Sequence, residues 1–504
     1  IIANLMRLPR AAGILLHPSS LPGPHGSGDF GEDAYHFIDW LQAAGQSYWQ
    51  ILPLGGIGPG NSPYMSSSTF AGNELMINLI ELQHLGWLTA AETASDFEPE
   101  TRQVDFAKMI PYRMQRLALA AANFAASDDA DQQAQFDSFC AQQAHWLDDY
   151  ALFMTLSKRF PGRSWCDWDT ALARRDADAL DLAVAENSAA VHLWKFCQWC
   201  FFRQWGKLRR YANERGIRII GDAPIFIAYD SVEAWTRPEL FELDAEGRLK
   251  VIAGVPPDYF SATGQRWGNP LYRWEAHQAE DFSWWIERIR HSLGMVDILR
   301  IDHFIGFTRY WEIPVSEPTA EHGRWLPAPG EALLEALRTA LGSIPIIAED
   351  LGSVTPEVEA LRDKFRLPGM CVMHFAWGPD GNPRFLPHNH DRNLVVYTGT
   401  HDNDTSIGWW HNADEAQRQH LRDYLATAAR EVNRDLVRCV MASVADTAII
   451  PLQDLLGLDS AHRLNLPGTS DNNWTWRMLW ADLAGDLAQQ MLQQCHLYGR
   501  ERRA

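Results

Sequence analysis

The sequence predicts an α/β protein built on a closed (β/α)8 barrel, with a mostly helical insertion and long loops over the C-terminal face. Three observations predict it. Short apolar runs recur along the chain, and a helix-like segment follows each. The runs are apolar throughout rather than alternating, as strands covered by helices on both faces require. At least five of them end on a carboxylate, at Asp222, Asp302, Glu349, Asp402 and Asp454. An open doubly wound sheet also alternates strands and helices, but barrels collect functional groups at the C-terminal ends of several different strands.

In chain order the runs are AGILLHPSS (12–20), SYWQILPLGG (47–56), IRIIGDAPIF (217–226), MVDILRIDHF (295–304), IPIIAEDLG (344–352), LVVYTGTHDND (394–404) and TAIIPLQDLLG (447–457). Residues 1–83 therefore read as the first part of the barrel and 211–504 as the remainder. Between them, residues 84–210 are alanine-rich, charged and helix-periodic, without strand-like runs, and read as a helical insertion. The segments GGIGPGNSPYMSSSTFAGN and AGVPPDYFSATGQRWGNPLYRW are rich in Gly, Pro and Asn and long for connections. Long loops over a barrel mouth usually carry function, and the second falls within a loop expected at 251–273 over the cleft.

Composition narrows the class of partner. A net charge of −20 over 504 residues repels nucleic-acid phosphates, whereas a neutral ligand is compatible with it. The 22 Trp are unusually many, and a flat ring with one N–H donor stacks well on the apolar face of a sugar. Seven scattered cysteines do not form a disulfide framework. The CxxC of Cys197 and Cys200 lies on a helix-period apolar stripe and reads as core. The start IIANLMRLPRAAG lacks the features of a signal peptide, and no apolar run approaches membrane-spanning length, so the expected location is the cytoplasm.

The chemistry centres on RIDHFIGF at 300–307. Residues i and i+2 of a strand share a face, so Arg300 and Asp302 lie side by side. A guanidinium there holds a carboxylate ionised, which suits a nucleophile or an electrostatic stabiliser. Glu349 closes the apolar run IPIIAE, where desolvation and neighbouring negative charge raise its pKa and suit it to proton donation. Alternation lets only one of Glu349 and Asp350 face the barrel axis without saying which, and the same holds for His401 and Asp402. Three carboxylates suggest a metal site, but the cationic Arg300 opposes a dication. Glycoside hydrolysis or transfer needs two carboxylates of opposed protonation.

On these motifs the chain closely resembles the 4-α-glucanotransferases, the amylomaltase or disproportionating-enzyme family of the α-amylase clan. The resemblance rests on HPSSLPGPHGSGDFG, QILPLGGIGPGNSPYMSSSTFAGN, GDAPIFIAYDSVEAW, AGVPPDYFSATGQRWGNPLY, LRIDHFIGF, IAEDLG, YTGTHDNDT and RLNLPGTSDNNWTWR, in that order over nearly the whole chain. It implies a TIM barrel, retention of anomeric configuration, no metal or other cofactor, and α-1,4-glucans or maltooligosaccharides as substrates, with long glucans open to cyclisation. Carried onto this sequence, it makes Asp302 the nucleophile, Glu349 the acid/base and Asp402 the transition-state stabiliser. It places Arg300, His401 and Asp222 in the sugar site, Tyr64 in stacking near the scissile bond, and Tyr259, Gln265 and Trp267 in a mobile loop over the cleft.

Beside these, His303 reads as a supporting partner, Asp350 and Asp454 as structural acceptors, and Trp474 and Trp476 as core. His374 stands where the family pattern leads one to expect Gln. The same carboxylates would serve a retaining hydrolase, and a non-catalytic glucan binder is the remaining alternative. The long aromatic loops favour transfer, because they can stack an acceptor sugar and exclude water.

Overall fold

The computed structural model describes residues 7–257 and 261–501. Eight parallel strands form one sheet: β1 (Ala11–Leu15), β2 (Tyr48–Gln50), β3 (Arg218–Pro224), β4 (Ile298–Asp302), β5 (Ile346–Ala348), β6 (Gly369–Val372), β7 (Leu394–Tyr397) and β8 (Thr447–Pro451). Each of the seven apolar runs contains one strand. The eighth, β6, is the four-residue GMCV directly after Pro368. Every residue of β1, β2, β5, β6, β7 and β8 is buried, which is why their sequences do not alternate.

The strand order is β6-β7-β8-β1-β2-β3-β4-β5, so the sheet curls until β5 faces β6. This seam is not a full ladder. The Ala348 N–H donates to the Pro368 carbonyl at 2.9 Å, and two residues further on a side chain takes over, the Asp350 carboxylate accepting from the Met370 N–H at 2.8 Å. The result is a near-closed TIM-type barrel. Its packing leaves no room for a side chain at Gly13 of β1, where a Cβ would lie 2.5 Å from that of Tyr48.

The interval between β2 and β3 holds the long helices Phe106–Ala125, Ala130–Arg159 and Ser188–Glu214. Cys197 and Cys200 are free and fully buried on the last of these. On the same helix the buried amides of Gln198 and Gln204 accept from the Gly72 and Asn78 N–H groups, both at 2.7 Å. The helical region thereby fixes the end of the 55–73 loop, which carries Tyr64.

A second sheet stands beside the barrel, antiparallel in the order Gln265–Arg266, Val251–Val255, Arg309–Pro314, Arg324–Pro327. The interval expected as a loop at 251–273 is thus in part a strand pair. Its Gly and Pro content suggested a loop, but Gly254 is what permits the pairing: a Cβ there would lie 2.2 Å from the Gln265 carbonyl.

At the other end of the barrel Arg500 is completely buried. It donates to the carbonyls of Ala11, Val440, Met441, Ser443, Ala445 and Asp446 at 2.8–3.2 Å, tying β1 to the approach to β8. No helix among the described residues is long and apolar enough to cross a membrane.

Candidate active site

The C-terminal ends of β3, β4 and β5 bring the first group of side chains together. The β3–β4 register sets Asp222 opposite Arg300 and Pro224 opposite Asp302. Arg300, 3% exposed, reaches across and along the sheet at once. Its Nη1 donates to Asp222 Oδ2 at 2.6 Å and its Nη2 to Asp302 Oδ1 at 2.9 Å. Burial opposes the Arg300 charge, but Asp222 and Asp302 outweigh it and hold its pKa well above the ordinary value. The expected same-face pairing of Arg300 and Asp302 is present, with Asp222 as a second acceptor.

Ile301 of β4 pairs with Ala348 of β5, so Asp302 and Glu349 are the next residues of adjacent strands. Of the two candidates in IAED, Glu349 faces this cleft. Asp350 points away, fully buried, and accepts from Arg362 and Arg384 at 2.6 Å each as well as from Met370. The Glu349 carboxyl accepts the His303 N–H at 2.7 Å and the Leu351 N–H at 2.9 Å. Burial, and then the adjacent Asp302 carboxylate, push it up to about 8, against the opposing pull of Arg300 and the two backbone donors. His303 turns the chain out of β4 in the left-handed region, at φ 56°, and burial pushes its imidazole down to about 4, leaving it neutral.

The β7 end supplies His401 and Asp402. The Tyr64 hydroxyl lies 2.7 Å from Asp222 Oδ2 and 2.8 Å from His401 Nε2. Asp222 can only accept, so the tyrosine proton goes to it and His401 Nε2–H is the donor to Tyr64. The same nitrogen lies 3.2 Å from Asp402 Oδ2. Burial by itself would raise the Asp402 carboxyl. His401, the Asn465 amide and Arg300 outweigh burial and hold it well below the usual carboxylate range. Glu349 and Asp402 are thus displaced in opposite directions, the pattern that separates acid from anion in one cleft.

Aromatic rings wall the cleft. Tyr64 stacks on His401 with centroids 5.3 Å apart, and Trp474 packs behind both, at 5.8 and 6.1 Å. Trp474, read from sequence as core, is buried yet backs the site directly. Trp267 meets His303 edge-on at 4.9 Å, and Gln265 accepts from the Trp267 indole N–H at 3.1 Å. Gln265 therefore joins the site through Trp267, without a hydrogen bond to the carboxylates among the described residues. Tyr259 lies outside the described residues. Asp222 Oδ1 and His303 Nε2 are buried without a partner among the described residues.

Residues that sequence reasoning missed approach Asp402 from the C-terminal segment. Asn465 Nδ2 donates to Asp402 Oδ1 at 2.6 Å, and Arg463 Nη2 to the Asp402 carbonyl at 2.6 Å. Their only signal was membership of the block RLNLPGTSDNNWTWR. His374 is buried, hydrogen-bonded to Ser406 Oγ at 3.1 Å and stacked on Trp409 at 5.4 Å. Asp454 accepts from Thr398 Oγ1 and the Ser406 N–H, bracing the turn below His401. Among the described residues no group of three His, Cys, Asp or Glu is placed to hold a metal.

The chain is similar to several known proteins over nearly its whole length. The glycoside hydrolase family 77 model, described as 4-alpha-glucanotransferase, matches residues 16–482. A 4-alpha-glucanotransferase of Thermus thermophilus is 47% identical over 487 residues, covering 95% of this chain and 97% of the relative. One from a Synechocystis species is 48% identical over 497 residues, covering 97% and 98%. The solved amylomaltase of Streptococcus agalactiae in complex with acarbose superposes with a TM-score of 0.94 at 39% identity, covering 98% of this chain and all of that one.

Proposed function

The chain belongs to the 4-alpha-glucanotransferase family and transfers α-1,4-glucan segments, and we propose that it does so by a retaining double displacement through a covalent glycosyl-Asp302 intermediate. The observation that carries the reading is the placement of Asp302 and Glu349 as neighbours on adjacent strands, with the proton on Glu349. Adjacent strands lie about 4.8 Å apart. Retaining enzymes hold their two carboxyls roughly 5–5.5 Å apart and inverting enzymes roughly 6.5–9.5 Å to leave room for a water, and side chains that leave neighbouring backbone positions towards one cleft suit the shorter spacing.

In the first step Asp302 Oδ attacks C1 of the donor glucosyl unit while Glu349 gives its proton to the departing 4-oxygen. The C1–O4 bond breaks as the Asp302 ester forms. Arg300 steadies the nucleophile. In the second step an acceptor's 4-hydroxyl enters, Glu349 takes back a proton, and the acceptor oxygen displaces Asp302 from C1. Two inversions give net retention. Asp402, held ionised, accepts from ring hydroxyls and balances positive charge developing at C1. The free Asp222 Oδ1 and the Tyr64 ring serve the same sugar, and His401 links them to Asp402.

Donors are maltooligosaccharides or starch-type glucans, and acceptors are the 4-hydroxyl of glucose or of another glucan. A long donor whose own non-reducing end reaches the acceptor side closes into a ring by the same step. Transfer outruns hydrolysis because an oriented neighbour has an effective molarity of about 10⁵–10⁸ M, far above that of water. Trp267, Gln265 and the strand pair behind them cover the acceptor side. None of these steps uses a cofactor.

A 5-fluoro maltosyl fluoride, which forms a glycosyl-enzyme quickly and releases it slowly, tests the reading. Peptide mass spectrometry should find the label on Asp302, and NMR of the first-formed transfer product should show an α-linkage. Label on another side chain, or a β-linked first product, refutes it.

A further inference from the structure

We propose that Asn465 and Arg463 are positioning residues that set the side-chain rotamer and the ionisation of Asp402, so that the segment 459–474 is part of the catalytic apparatus. The inference rests on the reading of Asp402 as the transition-state stabiliser. Asp402 lies beyond the end of β7, in the turn GTHDND, and its side chain is 40% exposed. Its local restraints are weak. Its N–H reaches Thr400 Oγ1 only at 3.3 Å, and His401 Nε2 stands 3.2 Å from Oδ2.

The strong contacts come from far along the chain. Arg463 Nη2 donates to the Asp402 carbonyl and its Nε to the Asn465 carbonyl, both at 2.6 Å, while Asn465 Nδ2 donates to Asp402 Oδ1 at 2.6 Å. One guanidinium thus ties the two backbones together, and the amide beside it grips the carboxylate. Two residues on, Asp404 Oδ2 accepts from Ser460 Oγ at 2.8 Å, so the two segments are stitched a further time. The clip is itself anchored, since the Trp474 N–H donates to the Leu464 carbonyl at 2.7 Å and Leu466 donates to Asn473 Oδ1 at 2.9 Å.

Stitching alone would not need to reach Oδ1. With Oδ1 occupied by Asn465, Oδ2 is directed to His401 and the cleft, and the amide donor stabilises the anion. The charged and titratable groups that face Asp402 are His401, Arg300, Tyr64 and Arg463, and Asn465 adds a donor that does not titrate.

The test compares Asn465→Ala, Asn465→Asp, Arg463→Lys and Asp402→Asn with the parent enzyme. Disproportionation of maltotriose is followed against pH, with melting curves as a control on folding. Asn465→Ala should lower kcat by about 10–100-fold with KM little changed, and should move the acid limb of kcat to higher pH. Asn465→Asp, nearly the same shape, sets a second carboxylate against Oδ1. The two must then share a proton, so the acid limb should move further up still. Arg463→Lys keeps the charge but cannot bridge two carbonyls, and should lower kcat without that further shift.

A parental kcat and acid limb in both Asn465 variants, with Asp402→Asn inactive, would overturn this inference and leave the mechanism standing. An active Asp402→Asn would instead overturn the stabiliser role on which the inference depends. If Asn465→Ala fails to fold, the near-isosteric Asn465→Asp still decides the question.

Discussion

Replacing Glu349 with Gln should cripple transfer and remove a loss of stability that the parent suffers between acid and alkaline pH. The carboxyl rises from 4.5 to about 8 on folding. Between those values the unfolded chain releases the proton and the folded chain keeps it, so stability falls as pH rises through that window and levels off above it. At about 1.4 kcal/mol per unit, the difference amounts to about 5 kcal/mol by pH 9. Gln carries no such proton. Its single oxygen can accept from only one of the His303 and Leu351 N–H donors, and its NH2 group faces the other, a cost that does not change with pH. Unfolding entropy of about 2.1 cal/mol/K per residue gives about 1 kcal/mol per kelvin for a chain of 504 residues. Relative to the parent, the variant's melting temperature should therefore be about 5 °C higher at pH 9 than at pH 4.5, read by scanning calorimetry.

The same substitution should lower transfer from maltotriose by about 10²–10⁴-fold. A donor with a good leaving group should restore the first half-reaction, which then needs no acid. For the parent enzyme, the rate with maltotriose should decline above about pH 8. Equal melting shifts at both pH values, or unaltered turnover, would refute the assignment of the proton to Glu349.

Tyr64→Phe keeps the ring but removes the hydroxyl between Asp222 and His401. It should lower kcat/KM for maltotriose by roughly 5–30-fold at an unchanged melting temperature. Arg500→Ala orphans buried carbonyls at the end of the barrel remote from the cleft. It should destabilise by about 4 kcal/mol or more, seen as a lower melting temperature, while kcat at 25 °C stays at the parental value. His374→Gln should leave the pH profile unchanged, since burial already pushes His374 down to about 3. Losing the stack on Trp409 should weaken the fold by about 1 kcal/mol, measurable by denaturant titration.

The barrel was legible because buried strands must be apolar throughout, and seven of the eight lie in apolar runs that close on polar or glycine-rich sequence. The strand Gly369–Val372 escaped the list of apolar runs because it opens directly on Pro368 and passes into the turn Met373–Phe375 without a carboxylate at its end. Arg300 and Asp302 were legible from local spacing, since two residues on one strand must share a face. The choice between Glu349 and Asp350 was not, because period alone has no phase. The half-buried arginines Arg362 and Arg384, which claim Asp350, stand 12 and 34 positions along the chain, beyond the reach of strand alternation. For the same reason Asn465 was invisible: its partner lies 63 positions away, and an amide in a turn carries no periodic signature. The strand pair at Val251–Val255 and Gln265–Arg266 was masked by composition, although its glycine is what lets the backbones approach.

Glu349, the proposed general acid, directly follows the strand where the barrel fails to zip shut. Elsewhere around the ring a strand is clamped between two neighbours by repeating peptide hydrogen bonds, whereas β5 and β6, which meet at the seam, are each laddered on one flank only. At that seam the job passes largely to a single carboxylate and the two guanidinium groups gathered around it. The placement of Glu349 thus depends on the fully buried Asp350 beside it, and disturbance there would loosen the stave next to the gap.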